Sequence, residues 1–190
     1  MFDDLDRSLM TLLQRSISGL NSVTFCALDK LPPPSVGSGS GINLFLFEVK
    51  EHRDLRSPEP SLSRNVDGTV SVTRPPVKVD CLYLVTAWCA STQDAELSEH
   101  KLLSAAMRTL LRHPELPSEV LQGSLSAQDE PVRARVLPPI GLSSVTELWR
   151  SASGTPRASF FYVVTVSMDL EEPVQQLTLV TDLSLVQELK

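Results

Sequence analysis

Between Val77 and Arg112 the chain lays down a long strand and, directly after it, a long helix. Val77, Val79, Cys81, Tyr83, Val85, Ala87 and Cys89 alternate with Lys78, Asp80, Leu82, Leu84, Thr86 and Trp88, the period of two by which successive strand side chains point to opposite faces. The first set is apolar throughout. The second begins polar at Lys78 and Asp80 and turns apolar at Leu82 and Leu84, so the middle of this strand needs cover on both sides and belongs inside a sheet. A polar turn at Ser91 to Asp94 leads into a segment where Leu97, Leu103, Met107, Leu110 and Leu111 recur near helical spacing. No Gly or Pro interrupts it from Ala95 to His113. Strand and helix each carry apolar surface worth about 25 cal/mol per Å² when removed from water, so the helix is expected to pack across the strand. Leu84 and Leu103 are then both core residues.

A chain of 190 residues suits one domain, or one domain with appendages, and can bury a core without disulfides or metal. The 14 prolines against 8 glycines point to loops stiffened at φ. A net charge of -6 with scattered basic residues argues against nucleic acid, whose phosphates are held by clustered Lys and Arg. Cys26, Cys81 and Cys89 form no C-x-x-C pair and read as small hydrophobes of a reducing compartment. His52, His100 and His113 are too dispersed for a ligand set. The start of the chain is acidic from Phe2 to Asp6, unlike a signal peptide, and no run approaches the roughly 20 apolar residues of a membrane span. These features lead us to expect synthesis in the cytoplasm and no membrane partner.

Taken in order, Phe2, Leu5, Leu9, Leu12, Leu13, Ile17 and Leu20 make a stripe at three and four residue spacings, with Asp3, Asp4 and Asp6 where a helix N-terminus favours negative charge. A first helix closing near Gly19 follows. Val23, Phe25 and Ala27 alternate as a short strand. Pro32, Pro33 and Pro34, then Gly37, Gly39 and Gly41, form a loop. Ile42 to Val49 is a second strand with two apolar faces, Ile42, Leu44 and Leu46 on one and Phe45, Phe47 and Val49 on the other. Lys50 to Gly68 reads as a long loop, of the length that is commonly either functional or disordered. Asp67-Gly68 favours a tight turn, so Thr69 to Thr73 is a candidate strand returning against Pro75 to Lys78 or its neighbours.

After the long helix, His113-Pro114 is a stop, and Pro117 to Leu121 is one helical turn ended by Gly123. Val132, Ala134 and Val136 alternate with Arg133 and Arg135, an edge strand with solvated arginines. Ser143 or Ser144 is placed to cap a helix carrying Val145, Leu148 and Trp149, terminated by Gly154. Phe160 to Leu170 is a third strong strand. Beyond Glu171-Glu172-Pro173, Leu177 and Leu179 alternate in a polar setting, either as an edge strand or as an arm that completes its pairing on another chain.

No catalytic constellation accompanies these elements: the sequence has no G-x-S-x-G, no Gly-rich phosphate loop, no H-E-x-x-H and no C-x-x-C. Glu99 and His100 are adjacent on a helix and so point in different directions. No catalytic, cofactor-binding or metal-binding residues are assigned, and no cofactor is expected.

A series of motifs does carry a resemblance: Asn43-Leu44-Phe45-Leu46-Phe47-Glu48-Val49 followed by Leu55-Arg56, then Arg74-Pro75-Pro76-Val77, Tyr83-Leu84-Val85-Thr86-Ala87-Trp88, Glu99-His100-Lys101-Leu102-Leu103 and Glu147-Leu148-Trp149. In this order, across the chain to about Leu170, they resemble the cap, or tail-terminator, proteins of bacterial extracellular contractile injection systems. The resemblance implies a single α/β (α+β) domain with a mixed, largely antiparallel central sheet flanked by helices over residues 1–170, and a C-terminal extension over 171–190. It also implies a structural subunit of a homohexameric ring that caps the inner tube and contractile sheath of a phage-tail-like particle, which can be released extracellularly. An assembly adaptor or chaperone of the same particle is the alternative within that setting. A small enzyme or ligand-binding module is the alternative outside it, and needs convergent polar groups that the sequence does not assemble. Candidate partner-binding residues are Glu51, Arg53, Arg56 and Arg64 in the long loop and Val174, Leu177 and Leu179 in the tail.

Overall fold

The protein is described from a computed structural model at residues 1–20, 22–31, 33, 39–56, 59, 61–65, 69–90, 94–128, 130–136, 142–152, 155–170 and 175–178. In chain order the elements are α1 (Phe2–Ser16), β1 (Ser22–Thr24), β2 (Ser40–Glu51), β3 (Ser61–Arg64), β4 (Thr69–Thr73), β5 (Val77–Cys89), α2 (Ala95–Arg112), β6 (Arg133–Val136), α3 (Leu142–Ser151), β7 (Ser159–Met168) and β8 (Gln175–Thr178). Short 3-10 turns at Leu28–Lys30, Arg53–Leu55, Ser118–Val120 and Gly123–Ala127 join them. None of the helices among the described residues is long and apolar enough to cross a membrane.

Five strands form the larger sheet in the order β1-β2-β5-β7-β6, which puts β5 in the centre with β2 and β7 beside it. The sheet is mixed: β1 runs parallel to β2, and every other pair is antiparallel. The alternation along β5 divides its residues as the sequence requires. Val79, Cys81, Tyr83 and Val85 enter the main core with Leu5, Leu9, Leu12 and Leu13 of α1 and Ala106 and Leu110 of α2. Leu84 faces the other way, into a smaller cluster with Leu28, Trp149 of α3 and Phe161 of β7.

In α2 the boundaries agree with the periodicity, but the buried face is narrower. Ala106, Thr109 and Leu110 are buried, Leu103 and Met107 are half-buried, and Leu97 and Leu111 remain 60% and 55% exposed. At 3.6 residues per turn those two leucines sit roughly 100° or more around the helix from Leu110, too far to reach the sheet. In β2 the register against β5 shifts between Leu46 and Glu48, so that Val49 lies opposite Cys81. This bulge reverses the alternation and moves Val49 off the face of Phe45 and Phe47, where a regular strand would have put it. Ser40 and Gly41, read from the sequence as loop, belong to β2. A Cβ at Gly41 would lie 2.5 Å from the Ser22 carbonyl oxygen and 2.6 Å from the Trp88 ring, so glycine there permits a close approach of strand and indole.

Thr69 to Thr73 is a strand, but its partner precedes it. β4 pairs antiparallel with β3 and, on its other side, with β8, making a second sheet of order β3-β4-β8. Asn65 ties the hairpin, its N–H donating to the Thr69 carbonyl at 2.9 Å and its amide to Thr69 Oγ1 and Ser71 Oγ at 2.8 Å. Pro75 and Pro76, which lack N–H donors, separate β4 from β5 and prevent the expected return pairing. The long loop thus contains a turn and a strand. In the tail, Gln175–Thr178 pairs with β4 of the same chain. Helix α3 begins at Leu142 and includes Ser143 and Ser144 instead of being capped by them; its position follows from the Val145, Leu148 and Trp149 stripe, and its Gly154 stop lies outside the described residues. Gly123 opens a 3-10 turn at φ +52 instead of ending one.

Two buried polar contacts hold α1 and β1 to the sheet. Asn43, fully buried on β2, accepts hydrogen bonds from Thr24 Oγ1 at 2.8 Å and Cys26 N at 3.0 Å, and donates to the Cys26 carbonyl at 3.0 Å. It thereby stands in for a strand partner just past the end of β1. On the other face of the sheet, Tyr83 donates its phenol proton to Asp6 Oδ1 at 2.8 Å. Burial raises the Asp6 carboxyl above its ordinary range, partly offset by that bond and reinforced by the charge of Asp3.

Replacing Leu84 by Ala is expected to cost about 2–5 kcal/mol, and Leu103→Ala distinctly less because Leu103 keeps part of its surface in water; paired denaturant melts measure both. Asp6→Asn keeps an acceptor for Tyr83 while removing the charge. Because the folded pKa of Asp6 is raised, its stabilising contribution is present below the unfolded value of about 3.9 and lost as pH rises through the folded value. The variant is therefore expected to melt above wild type at neutral pH, with the gap closing below about pH 4. A constant gap across a pH series of thermal melts would contradict this.

Candidate partner interface

Helix α3 and the Leu28–Lys30 turn cover only the end of their sheet face that carries Leu84 and Phe161. At the other end the same face presents Lys78 and Asp80 of β5 opposite Ser167 and Thr165 of β7, with Arg133 and Arg135 on the neighbouring edge strand. The polar start of the second β5 face, visible in the sequence, therefore borders open space: Asp80 lines a hollow beside Arg53 and Arg135, and Lys78, with Thr165 and Ser167, lines an open cleft. Its volume is about 770 Å³, and Pro75, Pro76, Pro114, Pro131 and Leu55 form stiff apolar walls.

The charged groups at this end of the face are matched within the chain. Asp80, buried to 6% exposure, accepts from Thr165 Oγ1 at 2.6 Å and from Arg135 Nη2 at 3.3 Å. Lys78 Nζ donates to Glu130 and to Ser167 Oγ. Gln128 brackets the Ser167 backbone, donating to its carbonyl at 2.6 Å and accepting from its N–H at 3.4 Å. Arg133 lies 3.4 Å from Glu115. The two arginines read as solvated edge charges are thus both ion-paired. The Arg133–Glu115 pair is exposed on both sides and worth little energetically, whereas Asp80 and Lys78 are largely buried partners held in place by their hydrogen bonds. The arrangement suits recognition of a surface by shape and hydrogen bonding. Among the described residues no group of three or more His, Cys, Asp or Glu side chains is placed to hold a metal.

Three of the residues singled out from the sequence converge here. Glu51 ends β2 and lies 3.5 Å from Arg56, while Glu51 and Arg53 line a shallower hollow of about 530 Å³ that reaches Asp80 and Arg135. Arg64 is elsewhere, exposed at the end of β3 in the smaller sheet. Leu177 is in β8, paired through its backbone with Val70, which pairs in turn with Arg64. Val174 and Leu179 lie outside the described residues. Lys78, Asp80, Glu130 and the paired role of Arg133 and Arg135 were not assigned from sequence. The available signal was the polar interruption of an otherwise apolar strand face.

A second, separate point of attachment lies at the top of the sheet. Glu99 of α2 accepts from the Cys89 N–H at 3.1 Å and pairs with Arg157, just before β7. It joins the end of β5, the start of α2 and the approach to β7 at one carboxylate, while His100 beside it is exposed.

Compared with known proteins, the chain has solved structures that share its fold. It aligns over 100% of its length with the sheath/tube terminator of PVC, an extracellular contractile injection system solved by cryo-EM in the extended state, at 26% identity and a TM-score of 0.72. Over 98% of its length it matches the tube-terminating cap of the anti-feeding prophage, at 23% identity and a TM-score of 0.73, a likeness of fold. It spans 64% and 62% of those two chains, less than two thirds of either. A search of curated proteins finds no match. Residues 4–182 match the family described as the Pvc16 N-terminal domain, and the chain, matched over nearly its whole length, belongs to that family.

Proposed function

We propose that this chain is a structural subunit of a ring that caps and terminates the tube and sheath of a contractile phage-tail-like injection system. The observation that carries the reading is the likeness, along the whole chain, to a sheath/tube terminator, within a family match over residues 4–182. The chemistry is compatible with a structural role in place of catalysis, because Lys78, Glu115, Glu130, Arg133, Arg135, Thr165 and Ser167 of the 770 Å³ cleft are bonded to partners within the chain. The ring is a homohexamer made in the cytoplasm and carried on the released particle, without a nucleic-acid or membrane partner of its own.

Two surfaces serve as partner contacts in this reading. One is the proline-walled cleft with Glu51, Arg53 and Arg56 at its margin. The other is the smaller sheet with Arg64 and the extension 171–190, in which Val174, Leu177 and Leu179 flank or form β8. A terminator must satisfy the growing end of a polymer while offering no equivalent new end. Strands at a sheet edge do this by main-chain pairing, which takes up hydrogen bonds another layer would use.

Purified full-length chain mixed with its cognate sheath and tube subunits is expected to give particles of fixed length carrying a hexamer's mass at one end, measured by electron microscopy and light scattering. Particles bearing a single copy, or a chain that stays monomeric in that mixture, would overturn the ring. Deleting the chain after Leu170 removes β8 and is expected to leave the melting of the five-stranded core unchanged while particles lose their caps. If the deletion unfolds the core, the extension belongs to it and not to a partner contact.

A further inference from the structure

The smaller sheet is an arm on the larger one. Val77 of β5 lies opposite Met168 of β7, and β4 precedes the one while β8 follows the other, so both strands leave the same end of the central ladder and pair again beyond it. The two connections differ in length. Thr73 to Pro76, four residues, joins Val72 to Val77, whereas Asp169 to Val174, six residues, joins Met168 to Gln175, the partner of Val72. The β8 side thus has two residues, about 7 Å of extended chain, beyond what the β4 side needs for the same step. The arm also stands apart from the domain core. Among the described residues Leu62, Val70 and Val72, which share one face with Arg64 by register, neither belong to the two buried clusters nor pack against them, and Leu62 is 67% exposed. A small sheet with one apolar face needs cover that this core does not supply.

The two edges of β4 are held in different ways. The Asn65 N–H bonds the Thr69 carbonyl across the hairpin, which in an antiparallel ladder turns the backbone groups of Thr69, Ser71 and Thr73 toward β3 and those of Val70 and Val72 toward β8. Only four residues, Asn65 to Gly68, separate β3 from β4, so these two strands must come from one chain. No such constraint binds β8. Among the described residues it pairs with β4 alone, and its place is set by that one ladder and the longer connection before it. The β8 of another copy satisfies Val70 and Val72 by the same bonds.

We propose that in the ring each copy lays its β8 on the β4 edge of the next copy, in the register from Thr69 with Thr178 to Val72 with Gln175 that the single chain displays. The occupant is a second copy's β8 because this edge and this strand fit residue by residue, and exchange changes only the chain that supplies the strand. The inference rests on the ring reading and names a contact that links its neighbours. Donor strand and acceptor edge are different elements, so the exchange runs head to tail and closes with the ring. It keeps every bond of the ladder, uses the slack before β8 to cross, and brings the uncovered apolar face of the arm against a neighbour.

The test mixes two full-length variants, S71C and Q176C, under the conditions in which the wild type assembles. Ser71 and Gln176 are partners at a position where the two backbones do not bond each other, which sets their Cα atoms about 4.5 Å apart, within the span of a disulfide. Each variant carries half of the pair, so oxidation joins them only where β8 of one chain lies on β4 of another. A covalent dimer is expected on a non-reducing gel from the mixture and from neither variant alone, the latter reading any background from Cys26, Cys81 and Cys89. The S71C/Q176C double variant, oxidised as a monomer, closes the bond within its own chain and is expected to lose assembly until it is reduced. Thermal melts of the reduced variants are expected to match wild type; if one melts early, T69C and T178C repeat the test at the same kind of position. Rings from the mixture without the covalent dimer, or an oxidised double variant that assembles as wild type does, would keep β8 on its own chain and overturn the exchange while leaving the ring intact. Wild type that never assembles, alone or with sheath and tube subunits, overturns the ring and this contact with it.

Discussion

A strand with apolar side chains on both faces is stable only between two covering layers, because each uncovered face forfeits about 25 cal/mol per Å²; β5 imposes that condition on every other element of the larger sheet. Its odd-numbered residues call for α1 and α2, and Leu84 on the other face calls for α3 and the Leu28–Lys30 turn. The cover on the second face is incomplete. Lys78 and Asp80 at the beginning of β5 carry charges that are bonded within the chain, to Glu130 and Ser167 and to Thr165 and Arg135, and the sheet face opens there as a cleft lined by Lys78, Thr165 and Ser167. One strand's change from polar to apolar thus separates the covered end of that sheet face from its open one.

Much of this architecture is legible from the residues because period and burial coincide. The β5 alternation, the uninterrupted α2 segment and the apolar Phe160 to Leu170 run each specify an element by themselves, and their hydrophobic faces specify which must be neighbours. Legibility fails where one local irregularity changes a face. The bulge between Leu46 and Glu48 adds a residue without any sequence mark and sends Val49 to the opposite side. It also fails where pairing is non-local: Ser61–Arg64 is four residues of Ser, Leu and Arg, and only β4 beside it makes it a strand. For the candidate interface, Glu51, Arg53 and Arg56 were legible as a charged loop, but the proximity of Glu51 and Arg53 to Asp80 and Arg135 depends on the sheet placing distant segments together.

Several segments outside regular strands are positioned by side chains that substitute for backbone. Asn43 gives Cys26 the hydrogen bonds a neighbouring strand would have given, Gln128 does the same for Ser167, and Glu99 receives the Cys89 N–H where β5 leaves the sheet. An amide presents one donor and one acceptor side by side, which is why Asn and Gln can mimic a peptide group. Two of these three substitutions lie at the ends of β5 or β7, so the sheet's margins are held by specific residues while its centre is held by area.

The unequal lengths of the strand ladders have a mechanical meaning. Hydrogen bonds in an antiparallel pair lie across the strands, so a pull along the strand axis loads all the bonds of a ladder together, whereas a pull across it opens them one at a time. The β2–β5 ladder runs from Ser40 to Glu51 and the β5–β7 ladder from Val77 to Thr86, while β1 and β6 hold on through three and four residues. The molecule is therefore stiff in shear along its central strands and weak to peeling at its margins. Force entering through β2, β5 or β7 would be carried as through a plate; force entering through β1 or β6 would unzip an edge first.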